Sequence, residues 1–124
     1  MSQEKNTIKS FTDLVAWQKS HVFAVAVYKN TVDFPSSEQF GLTNQLRRSA
    51  YSVTSNIAEG FGRRTVPDRL HFYDMARASL AEAQSQLLLA RDIGFLKNES
   101  FDTLAEKSIT AHKLVTGLIN ATKK

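Results

Sequence analysis

"VFAVAVY", residues 22–28, is the stretch that decides the fold class. Every side chain in it is apolar, and its valines suit a buried strand as well as a buried helix. The flanking sequence separates the two. Leu14, Trp17, His21, Val25, Tyr28 and Val32 recur at steps of three and four through and beyond the run, with no breaker between them. That is the period of one helical face. It predicts a helix over about residues 12–33 with that stripe buried. Ser10 with Asp13, or Thr12 alone, supplies the cap, and Pro35 disfavours helical geometry at Phe34. A helix apolar all round leaves a small bundle with surface it cannot cover, so the run also predicts self-association.

Outward from this segment, the sparse glycines and prolines fall where helices begin and end. A second helix is expected over about 37–62, opened by Ser36 and Gln39 in capping-box spacing, with Gly41 weakening its first turns. Leu42, Leu46, Val53, Ile57 and Phe61 form its apolar stripe. Beside them run Gln45, Arg48, Ser52, Ser55, Asn56 and Glu59, a face of short polar groups suited to close packing. Gly60 and Gly62 fit a terminus that needs a left-handed residue.

The third helix, about 66–93, starts with Thr65 as cap and Pro67 in the first turn. Leu70, Tyr73, Ala76, Leu80, Ala83, Leu87 and Ala90 are its core face, and Gly94 ends it. Phe95 and Leu96 then fold back over its end. A fourth helix, about 98–121, is expected with Asn98 as cap and Phe101, Leu104, Ser108, Ala111, Val115 and Leu118 inward, its "NATKK" tail frayed. With 124 residues, this is one all-α domain.

Composition excludes several functions. Without cysteine the chain has no disulfide, thiolate zinc site or thiol nucleophile, and a cytoplasmic location is expected. "MSQEKNTIKSF" has no secretory apolar core, and no segment approaches the roughly 20 apolar residues of a membrane span. "GFGRR" lacks the third glycine of a dinucleotide fingerprint and the lysine of a phosphate loop. Glu59 and Glu82 lack the Glu-x-x-His companions of a di-metal bundle site. His21, His71 and His112 fall on three different predicted helices. No serine sits in a nucleophile elbow. The expectation is a protein without catalytic residues, metal or cofactor.

Charge gives the positive indication. The formal charge is +4, and all seven arginines lie between residues 47 and 91, while every lysine lies before residue 30 or after residue 96. Arginine presents a planar fork of donors to phosphate. Arg63, Arg64 and Arg69 surround the turn between the second and third helices, with Arg47 and Arg48 earlier on the second and Phe61, His71, Phe72 and Tyr73 interleaved. These five arginines are the candidate contacts to RNA or DNA. The competing readings are solvated helix faces with local ion pairs, or a surface that docks a protein.

The stretches "FTDLVAWQKS" (11–20), "FPSSEQFGLTNQLRRSAYSVTSNIAEGFGRR" (34–64) and "SLAEAQSQLLLARDIGFL" (79–96) together resemble the four-helix-bundle family encoded in intervening sequences of bacterial 23S ribosomal RNA genes, also called S23 ribosomal proteins. The matching signature positions include Gly41, Gln45, Asn56, Glu59, Gly60, Gly62 and Glu82. The resemblance implies an up-and-down antiparallel bundle assembling into a ring-like homopentamer, with no established catalysis. More distantly the chain resembles accessory proteins of diversity-generating retroelements, which bind nucleic acid and a reverse transcriptase. Asn56 and Glu59 are then expected to hold neighbouring helices or subunits. Two functions follow: nucleic-acid binding through the arginines, or an interaction scaffold or accessory subunit for an unidentified protein.

Overall fold

The computed structural model describes residues 7–124; residues 1–6, part of the segment read as lacking a secretory core, lie outside it. Four α-helices, α1 (Val15–Asn30), α2 (Leu42–Phe61), α3 (Val66–Asp92) and α4 (Asn98–Lys123), make up a single all-α domain, and the described residues contain no strand. "VFAVAVY" lies wholly within α1. Each of α1 and α3 packs on both α2 and α4, so the helices stand at the corners of a square.

The face that α1 buries is not the expected one. Ala16, Ser20, Phe23, Ala24 and Val27 point inward, while His21, Val25, Tyr28 and Val32 are exposed and Leu14 and Trp17 are half-buried. The corner between α2 and α4 takes small residues with Phe23 and Val27 filling the centre. Trp17 stays at the rim, edge-on to Phe11 at 5.3 Å and stacked on His21 at 4.7 Å.

Helix ends differ from the sequence reading for local reasons. Ser10 and Asp13 do cap a turn, but a 3-10 turn over Phe11–Asp13: the Ser10 hydroxyl accepts from the Thr12 N–H and Asp13 Oδ2 from the Ser10 N–H. Extended Leu14 separates this turn from α1. The helix stops at Asn30 because Thr31 leaves helical geometry, its hydroxyl donating to the Val27 carbonyl, and the following turn carries Phe34 into the core. Ser36 and Gln39 do not open α2. Ser36–Glu38 is a separate 3-10 turn, and Glu38 Oε1 accepts from the Leu42 N–H at 3.0 Å. Lys97, not Asn98, occupies the cap position of α4, without a side-chain bond. The tail is helical to Lys123, because buried Ile119 anchors the last turn and the Thr122 hydroxyl donates to the Leu118 carbonyl.

The two glycines at the end of α2 serve different ends from those expected. Gly62 has φ −81, and among the described residues Gly94 alone has positive φ, +90. Gly60 is required by proximity. A Cβ there would lie 2.7 Å from Tyr73 Cε1 and 3.1 Å from Phe72 Cβ, so its absence lets α3 press against α2. Small Ser49 and Ala50 of α2 and Ala76 and Ala83 of α3, all buried, extend that close contact. The rest of α3 follows its pattern: Thr65 caps it by accepting from the Asp68 N–H, and Tyr73, Ala76, Leu80, Ala83, Leu87 and Ala90 are buried. Past Gly94, the Phe95 and Leu96 N–H groups both donate to the Ala90 carbonyl, and Phe95 packs on Phe34 with ring centroids 5.7 Å apart.

Candidate nucleic-acid interface

The connection between α2 and α3 gathers Arg63, Arg64 and Arg69 within about one helical turn of it. Gly62 ends α2 by donating its N–H to the Ala58 and Glu59 carbonyls, and Thr65 starts α3, so the two arginines between them are displayed on a short, capped turn. Arg63 Nη2 meets Glu59 Oε2 at 2.6 Å, and its guanidinium carbon lies 4.6 Å from the centroid of the Phe72 ring. Arg69 Nε donates to the Arg63 carbonyl at 2.8 Å, which ties the first turn of α3 to the connection. Arg64 is exposed and has no ion pair among the described residues. Burial pushes the Tyr73 phenol above its usual value, with the nearby Arg69 guanidinium pulling the other way. Tyr73 is thus a core residue and not a stacking surface. Phe61 and Phe72 are half-buried, and His71 is exposed.

Arg47 and Arg48 belong to a different part of the surface. They lie 14 and 13 residues before Phe61, the last residue of α2, which sets them about 20 Å along its axis from the connection. Arg47 is half-buried, its Nε donating to Thr31 Oγ1 at 2.8 Å and its guanidinium carbon 4.7 Å over the Tyr28 ring, so it joins α2 to the end of α1. Arg48 is exposed on a polar cleft of about 350 Å³ lined by Gln45, Ser49, Tyr51, Ser52 and Glu82. The five arginines therefore form two groups.

The polar signature residues also divide. Glu82 reaches across to α2, accepting from the Ser49 hydroxyl at 3.1 Å, and the neighbouring Ser79 hydroxyl donates to Ser52 Oγ at 3.2 Å. Asn56 does not bridge helices: its amide donates to the Ser52 carbonyl and hydroxyl one turn back, as short polar side chains in helices do. Glu59 serves Arg63. Gln45 is exposed at the cleft, and Gly41 sits in the cap position of α2. Glu59 and Glu82 face different partners, with Ser49, Glu82's contact, ten residues and so about 15 Å along α2 from Glu59. Among the described residues no three histidine or acidic side chains converge as metal ligands would.

Two apolar clefts complete the surface. The first, about 450 Å³ between α1 and α2, is lined by His21, Ala24, Val25, Tyr28, Tyr51 and Thr54, and carries the stripe that the sequence placed inside. The second, about 290 Å³ between α3 and α4, is lined by Leu87, Leu88, Phe101, Ala105 and Ile109 among others. Sequence reasoning missed it. The signal was the run Leu87-Leu88-Leu89, since successive residues on a helix turn by about 100° and cannot all face one core.

No helix of the described chain is long and apolar enough to cross a membrane. No curated protein matches the chain. Among solved structures it is similar to a protein of unknown function from the S23 ribosomal protein family of Bacteroides thetaiotaomicron VPI-5482, with a TM-score of 0.76 and 25% identity over 85% of this chain and 98% of that one. The model of the 23S rRNA-intervening sequence protein family matches residues 12–117, and with that match over nearly the whole helical domain, the chain belongs to this family.

Proposed function

We propose that this chain is a non-enzymatic, cytoplasmic scaffold that self-associates into a ring and binds RNA or DNA through the arginines of the α2–α3 connection. The observation that carries the reading is the grouping of Arg63, Arg64 and Arg69 on one capped turn, with Arg64 exposed and free of any ion pair among the described residues. An up-and-down antiparallel course supports it further. Ser49 faces Glu82 and Ser52 faces Ser79, while Arg77 reaches Thr116 and Gln84 reaches Ser108, so sequence positions rise on one helix as they fall on its neighbour. On that course Lys9 and Lys123 come to the same end of the bundle as the three arginines. Basic groups there outnumber the carboxylates of Asp13, Glu59 and Asp68. A field of one sign at one end of a domain favours a polyanion.

Self-association rests on the two apolar clefts, which lie on different sides of the square. One face on each of two sides suits head-to-tail contacts, and such contacts close into rings when the rotation permits. Repetition of the arginine group around a ring multiplies weak contacts. The homopentamer implied by the resemblance is one such ring.

Anisotropy titration of nuclease-treated protein into labelled structured RNA and single-stranded DNA tests the binding. Affinity is expected to fall steeply with salt and to weaken in the Arg63→Ala, Arg64→Ala double variant. Absence of binding at low salt overturns it. The same apolar clefts favour a second reading, an interaction scaffold or accessory subunit whose protein partner is retained at salt concentrations that release nucleic acid.

A further inference from the structure

Three arginines lie over aromatic rings, Arg47 on Tyr28, Arg63 on Phe72 and Arg91 on Phe101, but their surroundings differ. Arg47 is half-buried and pinned to Thr31. Arg91 is paired with Asp92 at 2.9 Å, away from the basic connection. Arg63 has the neighbours of a nucleic-acid site, Arg64 and Arg69, and its side chain is 43% exposed.

Glu59 decides what Arg63 can do there. Its carboxylate bonds the edge of the guanidinium at 2.6 Å and offsets the charge that Arg63 would offer a phosphate. The faces of the guanidinium are untouched by that bond. One face covers Phe72, and the exposed His71 ring meets Phe72 edge-on, at 5.1 Å between centroids and 77° between planes. A guanidinium that lies over a ring on one side offers its other side as a planar surface, the kind on which unstacked bases settle. Bases within a duplex are already paired and stacked, so they cannot reach it.

We infer that Arg63, laid over Phe72 beside His71 and held by Glu59, is a stacking platform for an unpaired base, and that the ligand class of this site is single-stranded nucleic acid. Arg64 and Arg69 take the flanking phosphates. The inference rests on the nucleic-acid reading above.

A labelled mixed-sequence DNA oligonucleotide, alone and annealed to its complement, separates the two. The single strand is expected to bind about tenfold tighter than the duplex, on the scale of one stacked base. Arg63→Lys keeps the charge but loses the plane. It should weaken single-strand binding about fivefold with the salt slope unchanged, and should abolish the quenching of a fluorescent adenine analogue placed in the strand. Arg64→Ala should instead reduce the salt slope by about one. His71→Ala, a change at an exposed position, should lower quenching without unfolding the helix. Equal affinity for strand and duplex, with Arg63→Lys indistinguishable from the parent, overturns the platform and leaves the nucleic-acid reading standing. A drop of about one in the salt slope of Arg63→Ala, equal to that of Arg64→Ala, also overturns it, since Arg63 would then be a phosphate ligand. No binding of either probe at low salt overturns both.

Discussion

Helices α1 and α3 occupy diagonal corners of the bundle and bury themselves in contrasting ways. Along α3 the inward positions alternate large and small, Tyr73, Ala76, Leu80, Ala83, Leu87, Ala90, while the outward ones mix Asp68, His71, Asp74, Glu82 and Ser85 with exposed Met75, Leu88 and Leu89. The inward positions recur at steps of three and four without a break, so one stripe carries the large core side chains of that helix. Along α1 apolar residues occupy both sides. Phe23, Ala24 and Val27 are inside, while Val22, Val25 and Tyr28 remain about two-fifths exposed. Two rotations of α1 would bury comparable apolar area, and its neighbours choose between them by volume. The small residues Ala16, Ser20 and Ala24 fit where Trp17, His21 and Tyr28 would not.

If this contrast is right, truncating inward residues should be costly on both helices. Phe23→Ala, at a fully buried position of α1, should cost about 3–5 kcal/mol, and Leu80→Ala on α3 about 2–5 kcal/mol, read as shifts in urea unfolding midpoints. An unaffected Phe23→Ala protein would mean that α1 can rotate and bury its other face. Gly60→Ala sharpens the picture at the α2–α3 seam, where the new methyl would meet the Tyr73 ring. A loss of about 1–3 kcal/mol is expected, and a neutral result would show that the seam is slack.

The pH dependence bears on the same ring. Tyr73 has a phenol pKa raised by burial, so the unfolded chain releases this proton at a lower pH than the folded one. Stability from this group is intact below the usual tyrosine value of 10.0 and declines as pH rises above it. Tyr73→Phe should make the alkaline decline shallower in a pH series of unfolding curves. The smallest effect on the fold is expected at the outward face of α1. Val25→Ser should change protomer stability by less than about 0.5 kcal/mol, yet lower the mass measured by sedimentation if that face is covered by a second copy. Loss of stability without a change in mass would place Val25 in the protomer core.

Local signals carried much of the architecture. The helical period through "VFAVAVY", the Thr65 cap, the turn at Gly94 and the inward stripe of α3 from Tyr73 to Ala90 depend on groups a few residues apart, and each could be read from those residues. The family signature stretches were legible in the same way. Details that depend on a neighbour were not. Gly60 looked like a turn residue, but the Tyr73 ring standing over it is the reason for glycine there. One local detail was missed as well: Glu38, not Ser36 or Gln39, serves the start of α2, its carboxylate accepting from the Leu42 N–H four residues on. In the candidate site, the choice of arginine as the anion-facing residue came from composition, but its division into two groups did not.

The sequence by itself determined an all-α chain of four helices, where each nearly begins and ends, and which residues are basic, since propensity, capping and period act over a few residues. Tertiary structure alone decided which face of α1 is buried, that Glu82 bridges α2 and α3, and that Arg63 lies over Phe72. These choices turn on the space and partners that one helix offers another, and a single strand of letters contains no distances between helices.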